Sequence, residues 1–245
     1  MKEHNPSTFF LFFIINSSFY ISYFSNFYLM SYFRHIDNGE GSTKLFVGGV
    51  HGNEGKTAFK FLDKLKEEDF SKGQIFIYNF DKSPYISTLD ERYFKSPMGK
   101  TILELIEDIK PDFYTELHCY NIKNFEKLTS MDRFNTIGVP PLIDMGNHVL
   151  MGSISPIIRT KYFSVNNICK TLEFPCLDKL NDDVVAKYNF DMDLSFNTYF
   201  NILKTLAIAP NRKSYENKMV ELYPKQVDLA IDFAKKIFGE FFPPY

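Results

Sequence analysis

Apolar and polar positions along this chain follow two periods, and the switches between them outline a β-α-β succession. Residues 45–50 form a short apolar run that ends in glycines and predicts a buried strand opening into a loop. Ala58, Phe59, Phe61, Leu62 and Leu65 then recur at helical spacing, and Gly73 closes that segment. Residues 74–80 are apolar on nearly both faces, as suits a strand in a covered sheet. Ile102, Leu105, Ile106 and Ile109 share one face of a helix over 101–110, which Pro111 stops. Strands are expected again over 112–118 and 168–174, and helices over 191–208 and 226–241, the last with a stripe of Val227, Ala230, Ile231, Phe233, Ala234 and Ile237. Residues 31–37 read as an edge strand, and the stretch from Pro140 to Pro156 as an irregular wall or lid. The sum is an α/β fold in three layers, a mixed, mostly parallel sheet flanked by helices, in one domain over residues 31–245.

Composition removes some functions. Charged residues make up 24% of the 245 residues and the net charge is −2, so the basic footprint of a nucleic-acid binder is missing. The three cysteines, Cys119, Cys169 and Cys176, contain no CxxC pair and are odd in number. That argues against a disulfide framework and favours a reducing compartment, hence the cytoplasm.

Residues 8–33 carry no charge, and their length would permit a membrane span of about 20 residues. Seven Asn and Ser side chains interrupt the segment, and neither a basic n-region nor a small-residue cleavage site accompanies it. Three readings of residues 1–30 stay open: an extension outside the fold, a membrane anchor, or a packed element. Met30 is a second candidate start.

Chemistry enters at three strand ends. His51 and Glu54 stand three residues apart in the glycine-rich loop after the first buried strand, His118 ends the strand over 112–118, and Glu173 lies near the end of the strand over 168–174. In open α/β sheets the crevice beyond the carboxyl ends of the strands holds the site. Two imidazoles and a carboxylate, with a fourth position left for water, are the ligands of hydrolytic zinc sites, so His51, Glu54 and His118 are the candidate ligands of one Zn2+ ion. Such an ion lowers the pKa of water to about 7. A carboxylate outside the ligand set can then serve as general base, and Glu173, costly in an apolar strand unless it faces a cation, is the candidate. Glu116 shares a strand face with His118 and is either an orienting partner or a member of a salt bridge elsewhere. Cys119, as the strand neighbour of His118, should point away from the ion. Arg159, in the loop-rich region, offers a planar fork to a substrate carboxylate. His35 and His148 read as structural or exposed.

The set His51-Gly-Asn-Glu54-Gly, Glu116-Leu-His118 and Thr171-Leu-Glu173-Phe-Pro175 resembles the pattern of the zinc carboxypeptidase superfamily, above all its succinylglutamate desuccinylase and aspartoacylase branch. The likeness runs from about residue 44 to 176, and the whole pattern looks most like a small, uncharacterised archaeal branch. The resemblance implies a carboxypeptidase-like fold, zinc on His51, Glu54 and His118, and Glu173 as base. That branch usually shows Asp-Leu-Asn-Arg where this chain has Thr88-Leu-Asp-Glu91-Arg92, so only Arg92 carries over. Its implied role is to polarise the scissile carbonyl or to bind a substrate carboxylate. The β-rich C-terminal domain of aspartoacylase-like proteins has little chain here to form it, which implies a more open pocket.

The expected activity is therefore zinc-dependent hydrolysis of an amide or peptide bond in a small N-acyl amino acid or peptide, of deacylase or carboxypeptidase type. The alternatives are a non-catalytic metal- or ligand-binding protein of the same fold, or a membrane-tethered cell-wall peptidase if residues 8–33 are an anchor.

Overall fold

The computed structural model describes residues 30–239. Among these, seven strands form one sheet: β1 Met30–Asp37, β2 Lys44–Gly48, β3 Gln74–Phe80, β4 Phe113–Tyr120, β5 Ile143–Asp144, β6 Leu150–Ser153 and β7 Ile168–Pro175. Their spatial order is β1-β3-β2-β4-β7-β6-β5. The four central strands, β3, β2, β4 and β7, run parallel, while β1 and the β6-β5 pair add antiparallel margins. The chain is thus α/β with a mixed sheet. From β2 it passes to β3 on one side and then returns to β4 on the other, which puts a topological switch point, and so a crevice, at the carboxyl ends of β2 and β4.

Helices cover both faces. Helix α1 (Gly55–Leu62) packs Ala58, Phe61 and Leu62 against Phe46, Ile75 and Ile77 of the sheet, together with Tyr199, Ile202, Leu203 and Leu206 of a long helix near the C-terminus. On the opposite face α2 (Pro97–Ile109) buries Met98, Ile102, Leu105 and Ile106 against Leu45, Val47 and Tyr114. The alternation of Leu45 and Val47 with Phe46 delivers the two cores, as expected for a strand covered on both sides. Ser96 caps α2 by accepting from the Gly99 amide at 3.0 Å, Pro97 opens it, and Lys110 ends it in the left-handed conformation just before Pro111.

The chain continues through α3 (Phe125–Thr129), α4 (Asp132–Ile137), α5 (Pro156–Tyr162), α6 (Asp182–Tyr188), the long α7 (Met192–Ile208), α8 (Arg212–Leu222) and α9 (Pro224–Phe238). Lys44 crosses the interior to reach the end of α7. Its ammonium donates to the carbonyls of Leu206 (3.2 Å) and Ala209 and lies 3.6 Å from the centre of the Phe113 ring. This satisfies carbonyls that the helix end leaves unpaired.

Two sequence expectations change. Residues 140–156 contain β5 and β6, which extend the sheet past β7, where an irregular wall was expected. Strands of two and four residues are too short to display alternation. The argument against a disulfide also fails, because Cys119 and Cys176 are bonded, with Cα atoms 4.8 Å apart across 57 residues of sequence. Parallel pairing sets Tyr120 beside Pro175, so the strand ends deliver two cysteines that sequence spacing keeps apart. The cysteine count therefore no longer argues for a reducing compartment; Cys169 is free and buried. No helix among the described residues is long and apolar enough to cross a membrane, and the anchor reading of residues 8–33 falls almost wholly outside them.

Candidate functional site

The loop between β2 and α1 is held tightly against the end of β3. A Cβ at Gly49 or at Gly55 would lie 1.9 Å from the Phe80 carbonyl oxygen, and Gly49 has φ +75°, so glycine alone fits this approach. The turn ends at Glu54, the residue from which α1 starts, which gives its carboxylate a fixed origin. His118 comes from β4 one residue beyond the point where β2 stops pairing.

These positions converge. His51, Glu54 and His118 each present a ligand atom within 4.8 Å of the others, and the group could hold a metal ion. Nδ1 of His118 is 3.0 Å from one oxygen of Glu54, and Nδ1 of His51 is 3.2 Å from the other. The two imidazole rings are centred 4.9 Å apart, and Tyr85 stands edge-on to His51 at 5.2 Å. His118 and Glu54 are buried. Nδ1 of His51 is buried without a hydrogen bond. A buried nitrogen lone pair facing a carboxylate and a second imidazole is a place a cation satisfies.

On its far side His118 meets Glu116, whose carboxylate lies 3.0 Å from Nε2 and in turn accepts the Tyr114 hydroxyl at 2.8 Å. Burial works against a charged His118, but Glu54 and Glu116 outweigh it and hold its pKa well above the ordinary histidine value. Burial dominates at His51 and lowers its pKa. Glu173 is the register partner of His118 across β4 and β7. Its carboxyl is pushed up to about 7 by burial, with His118 and Arg133 pulling the other way.

A cavity of about 1580 Å³ opens over these residues and is lined by His51, Glu54, Glu116, His118 and Glu173. Arg159 also lines it, with its guanidinium donating to the carbonyls of Phe163 and Ser164 at the end of α5. Arg92 is outside the lining: its side chain is 82% exposed and forks onto Asp90. Another arginine that sequence reasoning missed faces the cavity. Arg133 of α4 is half-buried, donates through Nη1 to the Pro140 carbonyl at 2.8 Å, and leaves Nε buried without a partner. A lone arginine in a six-residue helix has no periodicity to mark it. Tyr114 was equally silent, since a tyrosine in an apolar strand reads as core.

Residues 39–239 match the model of a family described as "uncharacterized protein conserved in archaea (DUF2119)". The chain belongs to this family. An uncharacterized protein of Methanocaldococcus jannaschii is 39% identical over 205 residues, which cover 81% of this chain and 92% of that protein. No solved structure matches. The matched span contains all the residues that converge here, from His51 to Glu173, and both cavity arginines.

Proposed function

We propose that this family member is a zinc-dependent hydrolase of amide or peptide bonds, of deacylase or carboxypeptidase type, acting on a small N-acyl amino acid or peptide. The observation that carries the reading is the meeting of His51, Glu54 and His118 at the switch point of the sheet, beside Glu173 and open to one cavity. The donor set suits zinc, which takes mixed nitrogen and oxygen ligands without a geometric demand of its own, and the unsatisfied Nδ1 of His51 supplies a lone pair for it. Bound there, zinc would supply Lewis-acid polarisation of a carbonyl and a water that ionises near neutral pH.

The chain's own groups do the rest. Glu54 and His118 hold one another in register, and Glu116 keeps the His118 ring from turning. Glu173, raised toward neutrality by burial, takes a proton from the attacking water and returns it to the departing nitrogen. Arg133, which lines the cavity, offers its guanidinium to an anionic group of the substrate, a role the sequence reading gave Arg92. The order of ligand loop, second histidine and later glutamate over β2, β4 and β7 supports kinship with the zinc carboxypeptidase superfamily. A binding protein without turnover would have no need of a half-buried carboxyl raised toward neutrality beside the ligands.

Metal analysis followed by a screen of N-acyl amino acids and short peptides tests the reading. Glu173→Gln is expected to abolish turnover while zinc content stays unchanged, and turnover that survives this change refutes the mechanism.

A further inference from the structure

We infer that the substrate of this site carries a long apolar acyl arm, an inference that rests on the hydrolase reading above. The reason is the wall beside Glu173. Leu150 of β6 is its register partner, and Leu150 forms a buried cluster with Leu142 and Tyr120, against which Leu128 packs. Tyr120, Leu128 and Leu142 all line the cavity. Leu142 reaches this position because β6 has a glycine beneath it: a Cβ at Gly152 would lie 2.5 Å from Leu142 Cδ2. The Leu142 amide donates to the Leu128 carbonyl at 2.9 Å, so both leucines are set by backbone.

The apolar surface continues outward. Ile137, at the end of α4, is 48% exposed and lines the cavity. The charged groups of the lining fall in two sets: Glu54, His118 and Glu173 come together where the metal ligands converge, whereas Lys127, Asp178 and Lys179 are exposed and Lys170 and Glu216 half-buried. A ligand matched to this distribution has its amide and any anionic group at the metal end and an apolar arm along Leu142 and Leu128 toward Ile137.

The experiment separates binding from turnover. Zinc-loaded Glu173→Gln protein is titrated calorimetrically with N-acyl-glycines from acetyl to dodecanoyl, below their micelle thresholds. Full burial of each methylene corresponds to about fourfold in affinity, and a gain of at least about twofold per methylene through decanoyl is expected. Ile137→Asp, an exposed position whose thermal midpoint should not change, is expected to flatten that gain for the longer chains. Affinity that is flat or falls beyond acetyl overturns the inference, as does a gain that Ile137→Asp leaves intact. Length-dependent binding together with no turnover of any acyl-glycine by the wild-type protein would sustain the apolar-arm site and count against the hydrolase reading alone.

Discussion

The Glu116 carboxylate sits 3.0 Å from Nε2 of His118 while the opposite nitrogen, Nδ1, faces Glu54 at the same distance. This grip decides which nitrogen is free for a metal. A proton on Nε2 shared with Glu116 leaves the Nδ1 lone pair directed toward His51 and Glu54, and Tyr114 in turn holds the Glu116 carboxylate by a hydrogen bond of 2.8 Å. Glu116→Ala is expected to weaken zinc binding by about 10–100-fold, the usual cost of losing such an orienting partner. Glu116→Gln, which keeps an acceptor oxygen, should recover most of it. Competition against a chelating zinc indicator measures both, and unchanged affinity in the alanine variant would show that Glu116 serves only the fold.

Much of this frame can be read without coordinates, for a reason visible in particular residues. Leu45, Phe46 and Val47 alternate between two cores, so β2 is recognisable as an apolar run, as is β3, while β4 and β7 keep enough apolar positions around their polar ones to read as strands. His51, Glu54, His118 and Glu173 stand out because each interrupts or ends such a run. What stays hidden depends on pairing across the sheet. Cys119 meets Cys176 only because β4 and β7 are neighbours in register. Arg133 reaches the cavity only because the segment between β4 and β7 folds over the strand ends. Helix α8 buries just Tyr215 and Met219, too few for an apolar stripe. Arg92 is the opposite case, a motif-like position whose side chain pairs with Asp90 in solvent.

The Cys119–Cys176 bond should be measurable as stability. It closes a loop that spans 57 residues of sequence and contains Arg133, Leu142 and Arg159. Removing a cross-link of that span costs about 4 kcal/mol in the chain-entropy account. Cys119→Ser with Cys176→Ser is expected to lower the calorimetric midpoint by roughly 10 °C for a chain of this size. Thiol titration of the denatured protein should find one reactive thiol, Cys169, before reduction and three after it. Three thiols without reduction would show that the bond does not form.

Lys44 ties stability to pH. Burial lowers its pKa from 10.5 to about 7, with Asp112 opposing, whereas the unfolded chain keeps the proton until about 10.5. Between those limits the unfolded state binds more protons, so stability from this residue rises with pH from about 7 and levels off near 10. Below pH 7 both states are charged and the contribution is flat. Denaturant unfolding of the wild type and of Lys44→Met across pH 6–10 isolates the effect. The stability difference between the two proteins should shift toward the wild type as pH rises, and a constant difference would mean that the folded lysine keeps its charge through its bonds to Leu206 and Ala209.

Arg133 and Arg92 are rival candidates for the same proposed role, and they differ in their surroundings. Arg133 lines the cavity, keeps a buried Nε without a partner, and is lowered in pKa by burial, with Glu173 opposing. Arg92 has its fork saturated by Asp90 at the surface. A hydrogen bond to a charged group contributes about 1.5–3 kcal/mol, so Arg133→Ala should lower kcat/KM for an anionic substrate by roughly 10–100-fold. Arg133→Lys should restore little, because an ammonium cannot reproduce the planar fork. Arg92→Ala is expected to stay within about twofold of the wild type, as surface changes away from a site generally do. Steady-state kinetics on the best substrate from the acyl amino acid screen decides between them. A large loss at Arg92 with none at Arg133 would mean that the loop over residues 88–92 swings into the cavity when substrate binds.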